Sequence, residues 1–357
     1  MKGAELLKSQ IKPNMLKKYI EQTVAKEYKV YDSVEEPENR RVTTPYIDDQ
    51  YLVKGSGTTK NRYYTKLGRY YNLEDEYDDT LLFESRFEGG NLHQAYRVGE
   101  YEYNLYMQSD TGFAKSKQWF YFRITNITKG AKYRFNINNF QNADSQYRQG
   151  MRPLFYSTAW SKTSKLGWYR DGFNIQYFQN HLPKPEGATG FQSTLTFEVI
   201  FNHDTDKVFI ANSYPYVYTD LINYLEKQVC TKENEDLVRK SVLCKSQAGN
   251  DCYQLTITNF KSKEEDIAKR EAIVFTGRAH PGESVASYVM EGAINFLLQK
   301  KSRRAQFLRD NFVFKIVPML NADGVINGNQ RSCLNGLDFN RQWQYPSAQA
   351  PEIAATK

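Results

Sequence analysis

Two patterns follow each other along the chain and predict two kinds of domain. Residues 79–206 carry short aromatic and apolar runs between Gly, Asn, Asp and Lys, such as QWFYFRITNI, YRFNINNF and STLTFEVIF. Runs of this kind are typical of strands, and six or more at short spacing predict an all-β sandwich. From residue 207 to 357, compact apolar runs alternate with helical segments. This second pattern predicts an α/β domain with a mixed sheet and flanking helices.

The length of 357 residues agrees with about two such domains. Residues 1–78 mix lysines, acids and tyrosines with little periodicity, and we predict a flexible lead-in there. No apolar run approaches 18 residues, and the first residues lack the hydrophobic block of a signal peptide, so we expect a cytosolic protein. The four cysteines form no CxxC pair and are expected to be reduced thiols.

The densest chemistry follows the predicted strand AIVFT, in the segment GRAHPGES. His280 and Glu283 lie on the loop between this strand and the helix SVASYVMEGAINFLLQKK, where α/β enzymes place active groups. An imidazole nitrogen and a carboxylate oxygen three residues apart can both reach one zinc ion. The simpler interpretation stays open: Glu283 complements the helix dipole, and His280 is an ordinary loop histidine.

A second polar block, PMLNADGVINGNQRSCLNGLDFNRQW, follows the strand FVFKIV. Arg331, Asn340 and Arg341 offer two guanidinium groups and an amide, which can hold a carboxylate or stabilise an oxyanion. A role in keeping the loop soluble is the alternative.

These blocks together resemble the cytosolic carboxypeptidases, a branch of the zinc carboxypeptidases. The likeness extends over residues 75 to 350. It includes FESRFEGGNLHQAYRV, YNLYMQSDTG and GWYRDGFNIQYF before the α/β segment, then HPGES, NADGVINGNQR and LDFNRQW within it. The resemblance implies a carboxypeptidase-like α/β domain preceded by a β-sandwich, and hydrolysis assisted by Zn²⁺.

The resemblance also implies a role for each matched residue. His280 and Glu283 are similar to the first two zinc ligands, and Arg331 to the arginine that polarises the scissile carbonyl. Asn340 and Arg341 are similar to the pair that binds the terminal carboxylate of the substrate. The family's third ligand, a His, and its general-base Glu lie beyond the DxNRxW motif, so we expect a truncated chain that is inactive as it stands.

The branch trims glutamates from acidic protein tails, tubulin among them. The resemblance therefore implies polyglutamylated tails as partners, without nucleic acid or membrane, and a cytoplasmic location that extends to the cytoskeleton or cilium. The net charge of +7 agrees with an acidic partner. Two alternatives remain: a non-catalytic cytoskeleton-binding module with a vestigial peptidase half, and a zinc-dependent deacylase of small acyl-amino acids.

Overall fold

The computed structural model describes residues 28–33, 71, 73, 75–113, 115–185 and 187–357. The strands are β1 (Tyr28–Asp32), β2 (Leu82–Glu84), β3 (Leu92–Gly99), β4 (Glu102–Met107), β5 (Tyr121–Thr125), β6 (Lys132–Phe140), β7 (Leu154–Ser157), β8 (Tyr169–Arg170), β9 (Phe173–Pro183), β10 (Phe191–Ile200), β11 (Val208–Ala211), β12 (Val238–Lys245), β13 (Asp251–Ile257), β14 (Glu271–Thr276) and β15 (Phe312–Val317). The α-helices are α1 (Thr158–Ser164), α2 (Tyr218–Tyr224), α3 (Glu264–Ala268), α4 (Val285–Leu298), α5 (Arg303–Asn311), α6 (Ala322–Ile326) and α7 (Pro351–Thr356).

The first eleven strands form the two sheets of a β-sandwich. In the described residues their orders are β1-β3-β4-β6-β10-β9 and β2-β5-β11-β7-β8. Side chains alternate between the two faces of each strand, so that one face of the sheet packs in the sandwich core. In β6, for example, Tyr133, Phe135 and Ile137 are buried, whereas Arg134 is exposed. The sandwich core is rich in fully buried aromatic rings, which agrees with the aromatic runs of the sequence.

Two strands lie outside the domain boundaries predicted from the sequence. Strand β1 falls within the predicted lead-in, yet it pairs with β3, and its Val30 and Tyr31 are buried. The rest of that segment up to Tyr70 lies outside the described residues. Strand β11 was predicted to begin the α/β domain, but it pairs with β5 and β7 of the sandwich. The sandwich therefore extends to Ala211.

The predicted mixed α/β sheet is confirmed. Its strand order is β12-β13-β15-β14, with β14 parallel to β15 and the other neighbouring pairs antiparallel. Helices α2 and α4 pack on this sheet through an apolar core that includes Tyr224, Ile294, Phe314 and Ile316. The parallel pair ends at the loops that carry the polar motifs, because β14 precedes HPGES and β15 precedes NADGVINGNQR.

The apolar face of α4 differs from the expected one. The sequence suggests a core face made of Ala286, Val289, Met290, Ala293, Phe296 and Leu297. In the structure, Ser287, Met290, Ile294 and Leu297 are buried, whereas the side chains of Val289 and Phe296 are 63% and 37% exposed. Spacings of three and four residues place the buried set on one narrow stripe.

Direct hydrogen bonds join the sandwich to the α/β half. The Thr219 N–H donates to Glu88 Oε1 at 3.0 Å, and the Gly89 N–H donates to the Ile326 carbonyl at 2.9 Å. All four cysteines are unbridged. Within the ranges given above, the structure contains no helix long and apolar enough to cross a membrane.

Candidate functional site

The loop from Gly277 to Ser284 connects β14 to α4 and is held by a buried arginine. Arg278 has a left-handed backbone, with φ of 58°, which is uncommon for a residue with a side chain. Its guanidinium donates to the Pro281 carbonyl at 2.8 Å, the Tyr216 carbonyl at 2.9 Å and Ser287 Oγ at 2.7 Å. Burial lowers the pKa of Arg278 to about 10. This network fixes the path of the loop and with it the backbone of the following His280.

His280 stands between two carboxylates. Its Nδ1 lies 3.0 Å from Glu283 Oε1, and its Nε2 lies 3.0 Å from Asp338 Oδ1. The Glu283 side chain is 61% exposed, whereas Asp338 is half-buried. If Nε2–H donates to Asp338, the Nδ1 lone pair of a neutral ring points toward Glu283, which is the arrangement of a metal-binding histidine with an orienting carboxylate.

Asp338 connects His280 to the arginine and asparagine motifs. Besides His280, Asp338 accepts hydrogen bonds from Arg331 Nε at 2.8 Å and from the Asn340 backbone N–H at 2.9 Å. Burial acts to raise the pKa of the Asp338 carboxyl, but the bond to His280 and the charge of Arg331 outweigh it and hold that pKa below its usual range. Asp338 is not among the site residues predicted from the sequence. The available signal was its place in LDFNRQW, two residues before Asn340.

The structure brings His280 and Arg331 together at Asp338, and Glu283 lies at the other nitrogen of the His280 ring. Asn340 and Arg341 occupy the adjoining 3₁₀ turn and are exposed. The Asn340 side-chain oxygen accepts from Trp343 Nε1 at 3.3 Å, and Arg341 Nη1 donates to the Asn340 carbonyl at 3.3 Å. Both side chains therefore keep most of their hydrogen-bonding capacity toward solvent.

A zinc ion fits two of these residues. Two ligands at 2.0–2.1 Å from one tetrahedral ion are about 3.3 Å apart, and the observed 3.0 Å between His280 Nδ1 and Glu283 Oε1 is close to that. Among the residues that the structure describes, no group of three His, Cys, Asp or Glu side chains could hold a metal. The other histidines belong to other elements of the fold: His93 and His181 lie on sandwich strands, and His203 follows β10.

A cleft of about 930 Å³ opens beside Glu283, between the sandwich and α4. Its sandwich wall includes Asp144, Tyr147 and Asn212, and its opposite wall includes Val289 and the segment around Gly282. A polypeptide could approach the Glu283 carboxylate through this opening.

Two family profiles match separate parts of the chain. Residues 83–183 match the family described as "Cytosolic carboxypeptidase N-terminal domain", and residues 224–356 match the family described as "Zinc carboxypeptidase". The first match lies in the sandwich. The second includes HPGES, Arg331, Asp338 and the 3₁₀ turn.

Curated relatives and solved structures give consistent results. The chain is 43% identical over 309 residues to cytosolic carboxypeptidase 2 of Homo sapiens, which covers 85% of this chain and 34% of the human protein. It is 37% identical over 356 residues to cytosolic carboxypeptidase 1 of Xenopus laevis, covering 92% of this chain and 29% of that protein. The chain thus spans about a third of the length of these relatives.

The fold is similar to that of a metallo-carboxypeptidase crystal structure from Burkholderia cenocepacia. The TM-score is 0.60 at 23% sequence identity, over 77% of this chain and 66% of the other. At this level of identity the comparison supports the fold and carries no assignment of substrate.

Proposed function

Since the chain belongs to the zinc carboxypeptidase family and carries the N-terminal domain of its cytosolic branch, we propose that it forms part of a metallocarboxypeptidase that shortens acidic protein tails. The observation that supports this most is the position of Asp338, whose two oxygens hold His280 and Arg331 next to each other. One carboxylate thereby contacts both a guanidinium and the imidazole that we propose to bind metal, and amide hydrolysis with electrostatic stabilisation needs both of these groups.

His280 Nδ1 and Glu283 would hold the zinc ion as two of its protein ligands. Bound zinc would supply Lewis acidity toward a carbonyl and would lower the pKa of a coordinated water. Catalytic zinc sites normally have three protein ligands and an open position. We propose that the third ligand and the general base come from outside the residues described for this chain.

Arg331 and Arg341 are proposed to act on different parts of the substrate. Arg331 is bonded to Asp338 through Nε, and its Nη groups, which have no hydrogen-bond partner among the described residues, can donate to the oxygen on which charge develops. Arg341 is exposed and can offer paired N–H donors to a terminal carboxylate, with Asn340 beside it. The two arginines should therefore contribute to different kinetic parameters.

We further propose that the substrate is a glutamate-rich C-terminal tail, such as that of tubulin, and that the protein works in the cytosol. The net charge of +7 favours acidic partners. The relatives are named cytosolic carboxypeptidases. A second candidate, a non-catalytic cytoskeleton-binding module, is favoured by one observation: the described residues supply only two ligands to the candidate metal site.

Zinc stoichiometry and peptide cleavage test the proposal. The longest form that the gene encodes should bind one zinc ion and release glutamate from a glutamate-tailed peptide. Arg341→Ala should raise KM, because a charge-assisted carboxylate contact is worth about 1.5–3 kcal/mol. Arg331→Ala should lower kcat by about 10²–10³, the usual effect of losing one oxyanion donor.

An Arg341→Lys variant and an amidated peptide are the matched controls. Lysine should restore KM only in part, because an ammonium lacks the planar fork that meets both carboxylate oxygens. The amidated peptide should be a poor substrate. Equal cleavage of free and amidated tails would contradict the role of Arg341. Absence of both zinc binding and cleavage in the longest form would favour the binding module.

A further inference from the structure

We infer that Asp110 of the sandwich is a positioning residue for Arg331, so that the sandwich forms part of the candidate active site; the inference rests on the proposed function. Asp110 follows β4 and is 5% exposed. It belongs to the segment Asp110–Gly112, here called the Asp110 segment. Its partners lie in residues 329–336 of the α/β half, here called the arginine loop.

The Asp110 carboxylate binds the backbone on both sides of Arg331. Oδ1 accepts from the Gln330 N–H at 2.6 Å, and Oδ2 accepts from the Arg331 N–H at 2.7 Å. Oδ2 also accepts from the N–H and the hydroxyl of Ser332, at 2.8 and 2.9 Å. Burial raises the pKa of the Asp110 carboxyl, and these four donors oppose the shift. Three consecutive backbone N–H groups thus share one buried anion.

The next two residues extend the same contact. The Thr111 N–H and hydroxyl both donate to Asn329 Oδ1 at 3.0 Å. Gly112 has φ of 69°, and a Cβ built there would lie only 2.8 Å from the Gly336 nitrogen. The Asp110 segment therefore contacts the arginine loop along its length, from Asn329 to Gly336, with no room for a larger residue at Gly112.

This anchoring matters for catalysis because the Arg331 side chain is itself loosely held. The side chain is 40% exposed, and it donates a hydrogen bond from Nε to Asp338. The direction from which it reaches a substrate is thus set by Asp338 at one end and by its own backbone at the other. Asp110 fixes that backbone, and a misplacement of about 1 Å at a reacting group can lower a rate about 10²-fold.

The first experiment needs neither metal nor activity. Asp110→Asn keeps the size of the side chain and replaces one acceptor oxygen with a donor. We expect amide hydrogen exchange of Gln330 to Ser332 to become at least about tenfold faster, and the Arg331 Nε–H signal in NMR spectra to shift or broaden. Ser332→Ala, which removes a single donor, should move the same signals less and keeps the test valid if Asp110→Asn folds poorly.

Asp206→Asn is the matched control. Asp206 is 4% exposed in the same sandwich and accepts hydrogen bonds from Ser157 Oγ, Thr158 Oγ1 and the Ala159 N–H. The Asp206→Asn variant should lower stability to an extent similar to that of Asp110→Asn and leave the Arg331 signals unchanged. Unchanged Arg331 signals in both Asp110→Asn and Ser332→Ala, or equal changes in the control, would overturn the inference.

The second experiment uses the longest form that the gene encodes, loaded with zinc. Asp110→Asn should lower kcat by about ten- to a hundredfold with little change in KM, and should have almost no further effect on kcat in an Arg331→Ala background. Its effect on stability should be the same in both backgrounds. Additive losses of kcat would refute a role through Arg331. Absence of cleavage by the unmodified protein would refute the proposed function. The hydrogen-exchange and NMR results would still show whether Asp110 anchors the backbone of Arg331.

Discussion

Glu352 is a residue whose ionisation opposes folding. It lies in the first turn of α7, is 2% exposed, and its Oε2 has no hydrogen-bond partner among the described residues. Burial, with smaller effects from Asp323 and Cys244, raises the pKa of Glu352 to about 8 from an ordinary value of 4.5. Between these values the folded chain holds this proton more tightly than the unfolded chain. Stability should therefore fall as pH rises from about 4.5 to 8.

Glu352→Gln should remove that loss. The variant should match the parent near pH 4.5 and exceed its Tm by several degrees at pH 8, since one pH unit in this window is worth at most about 1.4 kcal/mol. Thermal scans at pH 5, 6.5 and 8 measure this difference. Glu265→Gln, at an exposed position on α3, is the control and should give the same Tm difference at every pH. A constant advantage for Glu352→Gln would show that its charge does not matter.

At the scale of elements, α4 gives a direct test of which helix face is buried. Val289 and Met290 are neighbours, but Val289 is 63% exposed and Met290 is 8% exposed. Met290→Ala should cost about 2–5 kcal/mol, the usual range for truncating a buried methionine. Val289→Ala should change stability by less than about 1 kcal/mol. Urea denaturation of the two variants measures both values, and equal losses would support the face expected from the sequence.

Some elements of the fold could be predicted from the sequence and others could not. The sandwich and the mixed sheet were both predictable, because alternating aromatic runs and strand–helix alternation report directly on burial. The assignment of β11 was not, because VFIA is buried at all four positions and such a run fits a central strand of either sheet. The short strand β1 was missed because YKVYD lies in a segment with no periodicity around it.

For the candidate site, the sequence indicated the residues that carry recognisable chemistry and missed those that connect them. His280, Glu283 and Arg331 were indicated by residue type and motif. In the structure His280 and Arg331 both contact the Asp338 carboxylate, and Glu283 contacts His280. Asp338 and Asp110 were missed because their function depends on partners distant in sequence. Asp338 lies 58 residues from His280, and Asp110 lies more than 200 residues from the arginine loop. The roles proposed for the three residues indicated by motif, and for Asn340 and Arg341, stay predictions.

At the scale of the whole molecule, Gly328 tests the contact between the two halves. A Cβ at Gly328 would lie 2.6 Å from the Gly90 carbonyl oxygen and 2.8 Å from that of Gly89. Gly328→Ala should therefore strain the backbone, whose φ is 68°, and also push the sandwich away. Gly130→Ala should strain the backbone without a steric clash, because Gly130 has φ of 79° and a Cβ built there has nothing within 4 Å. We expect Gly328→Ala to lose about 1–3 kcal/mol more than Gly130→Ala.

Thermal or urea unfolding of the two glycine variants gives this difference. Equal losses would mean that the two halves can separate slightly without cost. A larger loss for Gly328→Ala would show that contact between the halves contributes to the stability of both.

The anchoring of the arginine loop by Asp110 also orders events during synthesis on the ribosome. The last sandwich strand ends at Ala211, 119 residues before Gln330, which at about 5–20 residues per second corresponds to about 6–24 s of translation. During that interval a newly folded sandwich would present a hydrated carboxylate on its surface. The arginine loop would then dock onto an anion already in place, so that Arg331 would take its position only after the sandwich has folded.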